Sequence, residues 1–247
     1  MSQPDPPLAP RAALRWAVVR SAVARVRPAS ILELGCGQGG FGVRLARLAG
    51  GYTAVEPDES SWQVAHDRIT PAGGTVIHGD HHKAPDPGRY DLVCAFEVLE
   101  HLADDEAALA EWLPLVRPGG HLLLSVPADP HRFGPWDDLV GHYRRYSGEQ
   151  MTGRLAAAGA VDITIRHYAW PLGYALDAVR DRLAKGRRPA EDASTAEERT
   201  AGSGRVLQPR ERLTGAAIKV GILPFTLLQS LSPRKGPGLV ALARRSA

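Results

Sequence analysis

The chain has 247 residues, 44% of them hydrophobic and 23% charged, and a net charge of +3. These are ordinary values for a globular enzyme with one large core, and they exclude a disordered or membrane-embedded class. The two cysteines, Cys36 and Cys94, belong to no CxxC, which excludes a disulfide framework or a cysteine zinc site and predicts a reducing, cytoplasmic setting.

The N-terminal stretch "MSQPDPPLAP" lacks a basic region and an apolar run, so no secretory signal is expected, and residues 1–9 read as a loose Pro-rich arm. Residues 11–26 carry apolar side chains at Leu14, Val18, Val19, Ala22 and Val26, which predicts a helix that ends before Pro28. "SILEL" reads as a short buried strand. "GGFGVRLARLAG" predicts a helix burying Phe41, Leu45 and Leu48, with Arg44 and Arg47 facing outward. "YTAVEP" is a second strand, and Asp58 caps a helix through Trp62 and His66. "GTVIHGD" and "RYDLVCAFEVLEHL" supply the third and fourth strands. The amphipathic helix "DDEAALAEWLPLV" stops at "RPGG", which leads into a fifth strand, "HLLLSVP".

Strand and helix alternate, and the strands are apolar throughout. This predicts an α/β fold: a Rossmann-like, doubly wound sheet of seven strands, mostly parallel, with helices on both faces. Right-handed crossovers place the C-terminal ends of the parallel strands along one edge, where ligands bind. Gly35, Glu56, Asp80, Glu97 and Pro127 all fall at such ends.

Beyond residue 127 the pattern turns irregular. Residues 128–146 are aromatic and charged and read as a lid over the acceptor. Ser147 and Gln150 have capping-box spacing and open a helix that ends at Gly159. "VDITIRHYAW" is a sixth strand and "PLGYALDAVRDRLA" a helix. Residues 185–205 are polar and low in complexity, and are expected to form a disordered loop or mobile lid. Residues 213–231 form an apolar helical segment interrupted by Pro224, and "GPGLVALARR" is the last strand. The domain plan is therefore an N-terminal arm and helix over 1–29, a ligand-binding core over 30–167, a helical insertion over 168–235, and a final core strand over 236–247.

Charge is unevenly spread. Residues 201–247 hold eight Lys/Arg against one acid, Glu211, a balance of +7 that leaves −4 for the rest. A basic tail of this kind can touch an anionic surface, and residues 216–231 are the candidate for peripheral membrane contact.

The segment Ile31–Gly42, "ILELGCGQGGFG", fits two glycine fingerprints. Gly35, Gly37 and Gly40 match GxGxxG, the dinucleotide turn; Gly35, Gly37 and Gly39 match GxGxG with an acid, Glu33, two residues ahead. A carboxylate at Glu33 suits a ligand with an ammonium group and adds nothing to pyrophosphate binding. Glu56 can accept both hydroxyls of a ribose under either reading.

The motifs "LELGCGQGG", "VEPD", "HGD", "YDLVCAFEVLEHL" and "VRPGGHLLLSVP" resemble, in order and spacing, the class I S-adenosylmethionine-dependent methyltransferases of the small-molecule type. The resemblance covers roughly residues 30–166, "GLVALARR" looks like that family's last strand, and "GHYRRYS" resembles a small-molecule subgroup. It implies S-adenosyl-L-methionine as cofactor, with the methionine part held by Glu33 and the turn of Gly35, Cys36, Gly37 and Gly39. Glu56 and Pro57 would meet the ribose, Asp80 and His81 the adenine, and Phe96 and Glu97 the methyl-donor pocket.

The implied reaction moves a methyl group to a small-molecule acceptor, with oxygen the expected atom. His101 and His142 are the candidate catalytic bases, because histidine titrates near neutrality. Glu97, Glu100 and His101 form E-x-x-E-H, and with His142 they could hold a divalent cation such as Mg or Mn; the base reading without a metal is preferred. His78, His81 and His82 flank Asp80 and are read as loop histidines near adenine. Phe133, Trp136, Tyr143 and Tyr146 are candidates for an aromatic acceptor wall, and Arg144 and Arg145 for binding an acidic acceptor group.

Two further function classes remain. A nicotinamide oxidoreductase fits the glycines but not Glu33, and no YxxxK occurs. A cofactor-binding partner without turnover is the other. Nucleic-acid base methylation is disfavoured, since the fourth strand ends in "AFEV" rather than an Asn/Asp-Pro-Pro-aromatic clamp.

Overall fold

A computed structural model describes residues 5–185, 218 and 220–247. The loop expected over 185–205 lies outside these residues apart from Lys185, as do residues 213–217. In chain order the elements are α1 (Pro10–Val26), β1 (Ser30–Leu34), α2 (Gly42–Ala46), β2 (Gly51–Glu56), α3 (Glu59–Ile69), β3 (Thr75–His78), β4 (Tyr90–Phe96), α4 (Asp105–Trp112), β5 (Val116–Pro127), α5 (Pro135–Val140), α6 (Gly148–Ala157), β6 (Ala160–Tyr168), α7 (Leu172–Ala184), α8 (Leu223–Leu231) and β7 (Gly238–Arg245).

The strands form one seven-stranded sheet in the order β3-β2-β1-β4-β5-β7-β6. β7 runs antiparallel to both β5 and β6, and the remaining pairs are parallel. Side chains alternate between the two faces, as strand geometry requires. Leu32, Leu34, Val93, Leu122 and Leu124 pack on one side with Leu109, Trp112, Met151 and Leu155. Ile31, Leu92, Cys94 and Leu123 pack on the other with Leu14, Val19, Leu45 and Ile69. Both faces are therefore covered, which is why the strands read as continuous apolar runs.

The predicted caps form. Asp58 accepts from the Ser61 N–H at 2.7 Å, and Ser147 and Gln150 exchange side-chain to backbone bonds of 2.9 and 3.0 Å. Pro10 and Pro224 both sit in first turns, where a missing N–H costs no intrahelical bond.

Two local expectations need correction. The helix after the glycine turn is short, and Leu48 beyond its end is 48% exposed rather than buried. Arg44 and Arg47 do not simply face solvent. Arg44 donates to the Pro6 carbonyl at 2.7 Å, and Arg47 pairs with Asp5. The described part of the Pro-rich arm is thereby tied across α2, and Pro6, Pro7 and Leu8 line the cavity at the C-terminal ends of β1 and β4.

α8 docks through Phe225, packed against the core cluster of Leu14, and through one polar side chain. Gln229, 3% exposed, accepts from the Ala169 N–H at 2.8 Å and donates to the Leu14 carbonyl at 3.0 Å. Leu223, Leu227 and Leu231 point outward. Among the described residues no helix is long and apolar enough to cross a membrane.

Candidate active site

Strand order reverses between β1 and β4, which opens a crevice at their C-terminal ends. A cavity of about 520 Å³ occupies it. Glu33, Gly35, Cys36, Gly37, Glu56, Pro57, Asp80, His81, Phe96, Glu97, His101 and His142 all line it, although they span more than 100 residues of chain. Of the residues assigned to the cofactor from sequence, Gly39 alone is absent from the lining. A Cβ there would lie 2.9 Å from Ile69 and 3.2 Å from the Ala65 backbone, so this glycine lets α3 approach the turn.

The other turn glycines differ in what they leave room for. Gly35 (φ +69°) would press a Cβ to 2.9 Å from Val98. At Gly37 (φ +53°) an added Cβ would meet nothing within 4 Å, so its space opens into the cavity. Backbone there is free to touch a ligand. Beneath the turn, Glu33 is 2% exposed and accepts a hydrogen bond from the Tyr52 hydroxyl. Burial pushes its carboxyl up to about 7, against the opposing pull of Tyr52 and Arg15. Such a group is poised to ionise when a cation arrives.

Glu56 fastens the turn to the end of β2. Its carboxylate accepts from the Gly37 N–H at 2.7 Å and the Asp58 N–H at 3.1 Å. Burial raises its pKa, and those two donors oppose the shift. Asp80 accepts from the His82 N–H at 3.0 Å. His81 is engaged by Glu111, and His78 sits 3.0 Å from the Pro57 carbonyl.

At the end of β4, Phe96 packs edge-on against Phe41, and Glu97 takes φ +58°. A non-glycine residue in this region is strained, and here the Glu97 N–H is held by the Ser125 carbonyl at 2.8 Å. The Glu97 carboxylate accepts from Tyr168 at 3.1 Å and Ser125 at 3.2 Å and pairs with Arg15 at 3.0 Å. Burial alone would raise its pKa, but Arg15, Arg11 and His142 hold it down at about 2.

The next turn, Leu99–His101, buries Glu100 completely and His101 to 4% exposure. Neither Glu100 oxygen nor either His101 ring nitrogen completes a hydrogen bond. Burial and the Glu97 charge push Glu100 well above the usual carboxyl range. Burial and the neighbouring His142 lower His101 to about 3. Glu97 and Glu100, three residues apart, are thus driven in opposite directions.

Residues 128–146 leave the end of β5 and return to it, closed by a bond from the Tyr146 N–H to the Pro127 carbonyl at 3.0 Å. This excursion carries α5 and presents Trp136, Asp137, His142 and Arg145 to the cavity. His142 Nδ1 lies 2.7 Å from Asp137 Oδ1, and its Nε2 lies 3.9 Å from Glu100. The His101 and His142 rings meet edge to face at 4.6 Å. Asp137 is fully buried and also binds Arg145 at 2.7 Å; burial opposes its ionisation, but His142 and Arg145 keep its pKa low.

Several roles assigned from sequence shift. Of the four candidate wall aromatics, Trp136 alone lines the cavity. Tyr146 is 1% exposed in the core, donating to Asp105 at 2.7 Å, while Phe133 and Tyr143 are exposed. Arg144 is spent on Asp105 and the Ala103 carbonyl, and Arg145 on Asp137 and Asp177. The sequence pattern does not reveal Arg11, Arg15, Trp112, Asp137 and Arg180, which also line the cavity. Arg11 carries a signal, since it sits three residues before Leu14 on the apolar stripe of α1 and is 6% exposed. A buried arginine there requires a distant anion, which is Asp177.

Comparison with known proteins agrees with this geometry. A family model described as a methyltransferase domain matches residues 11–165. The ubiquinone biosynthesis O-methyltransferase of Thiobacillus denitrificans is 28% identical over 117 residues, 46% of this chain and 49% of that protein. A probable S-adenosylmethionine-dependent methyltransferase of Mycolicibacterium smegmatis is 32% identical over 134 residues, 52% of this chain and 51% of that one. The chain spans about half the length of the curated relatives it matches. The YcgJ protein of Bacillus subtilis superposes with a TM-score of 0.60 at 13% identity, covering 94% of this chain and 99% of its own, a likeness of fold.

Proposed function

This chain belongs to the class I S-adenosylmethionine-dependent methyltransferases, and we propose that it methylates a hydroxyl of a small-molecule acceptor. Family membership displaces the nicotinamide reading. When bound, S-adenosylmethionine supplies an already activated sulfonium methyl, so the protein's work is alignment and proton removal. The residues fit that ligand in two respects. Gly37 leaves backbone open to the cavity, and Glu33 places a buried carboxyl below it. Glu33 and the turn Gly35–Gly39 would hold the methionine part, Glu56 and Pro57 the ribose, and Asp80 and His81 the adenine. Phe96 and Glu97 would border the methyl.

The observation that carries oxygen methylation is the Asp137–His142 pair facing the cavity. With Nδ1–H donated to Asp137, Nε2 is the ring's acceptor and takes the hydroxyl proton. Asp137, kept ionised by Arg145, stabilises the imidazolium that results. His101, lowered to about 3, stays neutral at physiological pH and positions His142 rather than holding the proton. Calorimetry with S-adenosylmethionine, S-adenosylhomocysteine and NAD tests the cofactor assignment, and S-adenosylhomocysteine release with hydroxylated acceptors tests the reaction. Uptake of NAD without the sulfur nucleosides overturns it.

A second reading has its own observation. Glu100, His101 and His142 offer ligand atoms within 4.8 Å of one another, and the Glu100 and His101 atoms have no hydrogen bond. These three residues would hold a Mg or Mn ion, which would lower the pKa of an acceptor hydroxyl. Glu97 is not among them, being engaged by Arg15, Ser125 and Tyr168. Under this reading a chelator abolishes turnover, Mg or Mn restores it, and the added cation raises the melting temperature. Turnover unchanged by chelator excludes it.

A further inference from the structure

Five guanidinium groups line the cavity, Arg11, Arg15, Arg68, Arg145 and Arg180, of which Arg68 lies on the glycine-turn side and donates to the Gln38 carbonyl at 2.8 Å. Three are matched by carboxylates. Arg11 pairs with Asp177, Arg15 with Glu97 at 3.0 Å, and Arg145 with Asp137 at 2.7 Å and Asp177 at 3.4 Å. Arg180, on α7, is the remaining cation, and it makes no hydrogen bond or ion pair with any described residue. Glu100 does not balance it, since that carboxyl lies against His142, 3.9 Å away, and forms no ion pair with Arg180.

The Arg180 guanidinium is nonetheless held in place. Its Cζ lies over the Trp136 ring, 5.2 Å from the ring centre, a cation–π contact that uses none of its N–H donors. Burial and the charge of Arg11 lower its pKa to about 10, which records the cost of a cation kept here beside other cations. Among the described residues, the carboxylates nearest Trp136 and His142 are already engaged, Asp137 by Arg145 and His142, and Asp181 by the Trp136 N–H at 3.3 Å, which leaves Arg180 a planar two-pronged donor without an anion.

We infer that the hydroxyl-bearing methyl acceptor also carries an oxyanion, a carboxylate or phosphate monoester, whose charge is taken by Arg180 on the His142 side of the cavity. The inference rests on the methyltransferase reading above and assigns the acceptor's chemical class within it. It also relocates the anion contact that the sequence suggested for Arg144 and Arg145, both of which are already paired.

The test is calorimetry on the full chain saturated with S-adenosylhomocysteine, using paired probes. One pair is 4-hydroxybenzoate and 4-hydroxybenzamide; the other is phenyl phosphate and phenol. The protein is expected to bind at least one anion about tenfold or more tightly than its neutral counterpart, and the pair that discriminates tells carboxylate from phosphate. Arg180→Gln is expected to erase that preference while S-adenosylhomocysteine affinity is retained, and Arg180→Lys to restore part of it. Absence of any preference for the anion in both pairs overturns the inference. So does an Arg180→Gln variant that loses S-adenosylhomocysteine affinity, since the arginine then serves the cofactor's own carboxylate. Failure of the unaltered protein to bind S-adenosylhomocysteine at all instead overturns the methyltransferase reading.

Discussion

The two walls of the cavity are assembled from chain segments at very different separations. The wall of β1, β2 and their turns is tied by bonds between residues 19 apart, Gly37 to Glu56 and Tyr52 to Glu33. The facing wall joins α1 to α7 and β7: Arg11 reaches Asp177 across 166 residues and the Pro237 carbonyl across 226. The first wall is a local motif that presents ligand contacts. The second is a buried ionic lattice in which one set of charges holds the fold and shapes the acceptor site together. Substitutions in the first are therefore expected to change binding with little change in folding, and substitutions in the second to change both.

The sharpest break in that pattern is His142, which belongs to the second wall and takes its place in the lattice chiefly through Asp137, at 2.7 Å. His142→Ala is expected to lower turnover by about 10²–10⁴-fold, the usual worth of a positioned base. S-adenosylhomocysteine affinity, read by calorimetry, is expected to survive. A variant that keeps its turnover removes His142 from the chemistry.

Asp177 tests the lattice itself. It is 3% exposed and neutralises two buried arginines, Arg11 and Arg145. Asp177→Ala leaves both short of a partner and is expected to cost about 3–5 kcal/mol in urea unfolding. On the first wall, Glu33→Gln removes a carboxyl that the fold holds against its own desolvation, and is expected to leave unfolding unchanged or slightly stabilised while cofactor affinity falls. Equal destabilisation by the two changes would erase the distinction between the walls.

The same contrast explains what is legible in the sequence. The sheet, its strand ends and the glycine turn can be read because alternating apolar runs and turn residues act over a few positions. Glu33, Glu56 and Asp80 stand out as the polar residues that close such runs. His142 is identifiable by residue type, but Asp137, its partner five residues earlier, is not, since a carboxylate in an irregular aromatic stretch carries no period. Asp177 and Arg180 are one helix turn apart on α7 and differ only in what lies opposite them. Nothing within α7 distinguishes the buried counter-ion from the cation facing the cavity. The Pro-rich arm reads as loose for the same reason, because its anchors, Arg44 and Arg47, lie 38 to 42 residues away.

The smallest expected effect is a pH dependence confined to the first wall. Glu33 has its pKa raised to about 7 in the folded protein, so below that pH the carboxyl is neutral and lacks the charge that an ammonium group needs. Affinity for S-adenosylhomocysteine is therefore expected to rise by about tenfold between pH 6 and pH 8, following the ionised fraction, and to flatten above it. The sign for the unliganded protein is the reverse. A carboxyl whose folded pKa lies above its unfolded one binds more protons folded than unfolded, so its contribution to stability falls as pH climbs from about 4.5 towards 7 and beyond. Ligand binding and unliganded stability should then move in opposite directions over the same interval, and Glu33→Gln should flatten both curves. Opposed slopes that persist in Glu33→Gln would place the titrating group elsewhere, with Glu56, also raised by burial, the next carboxyl to replace.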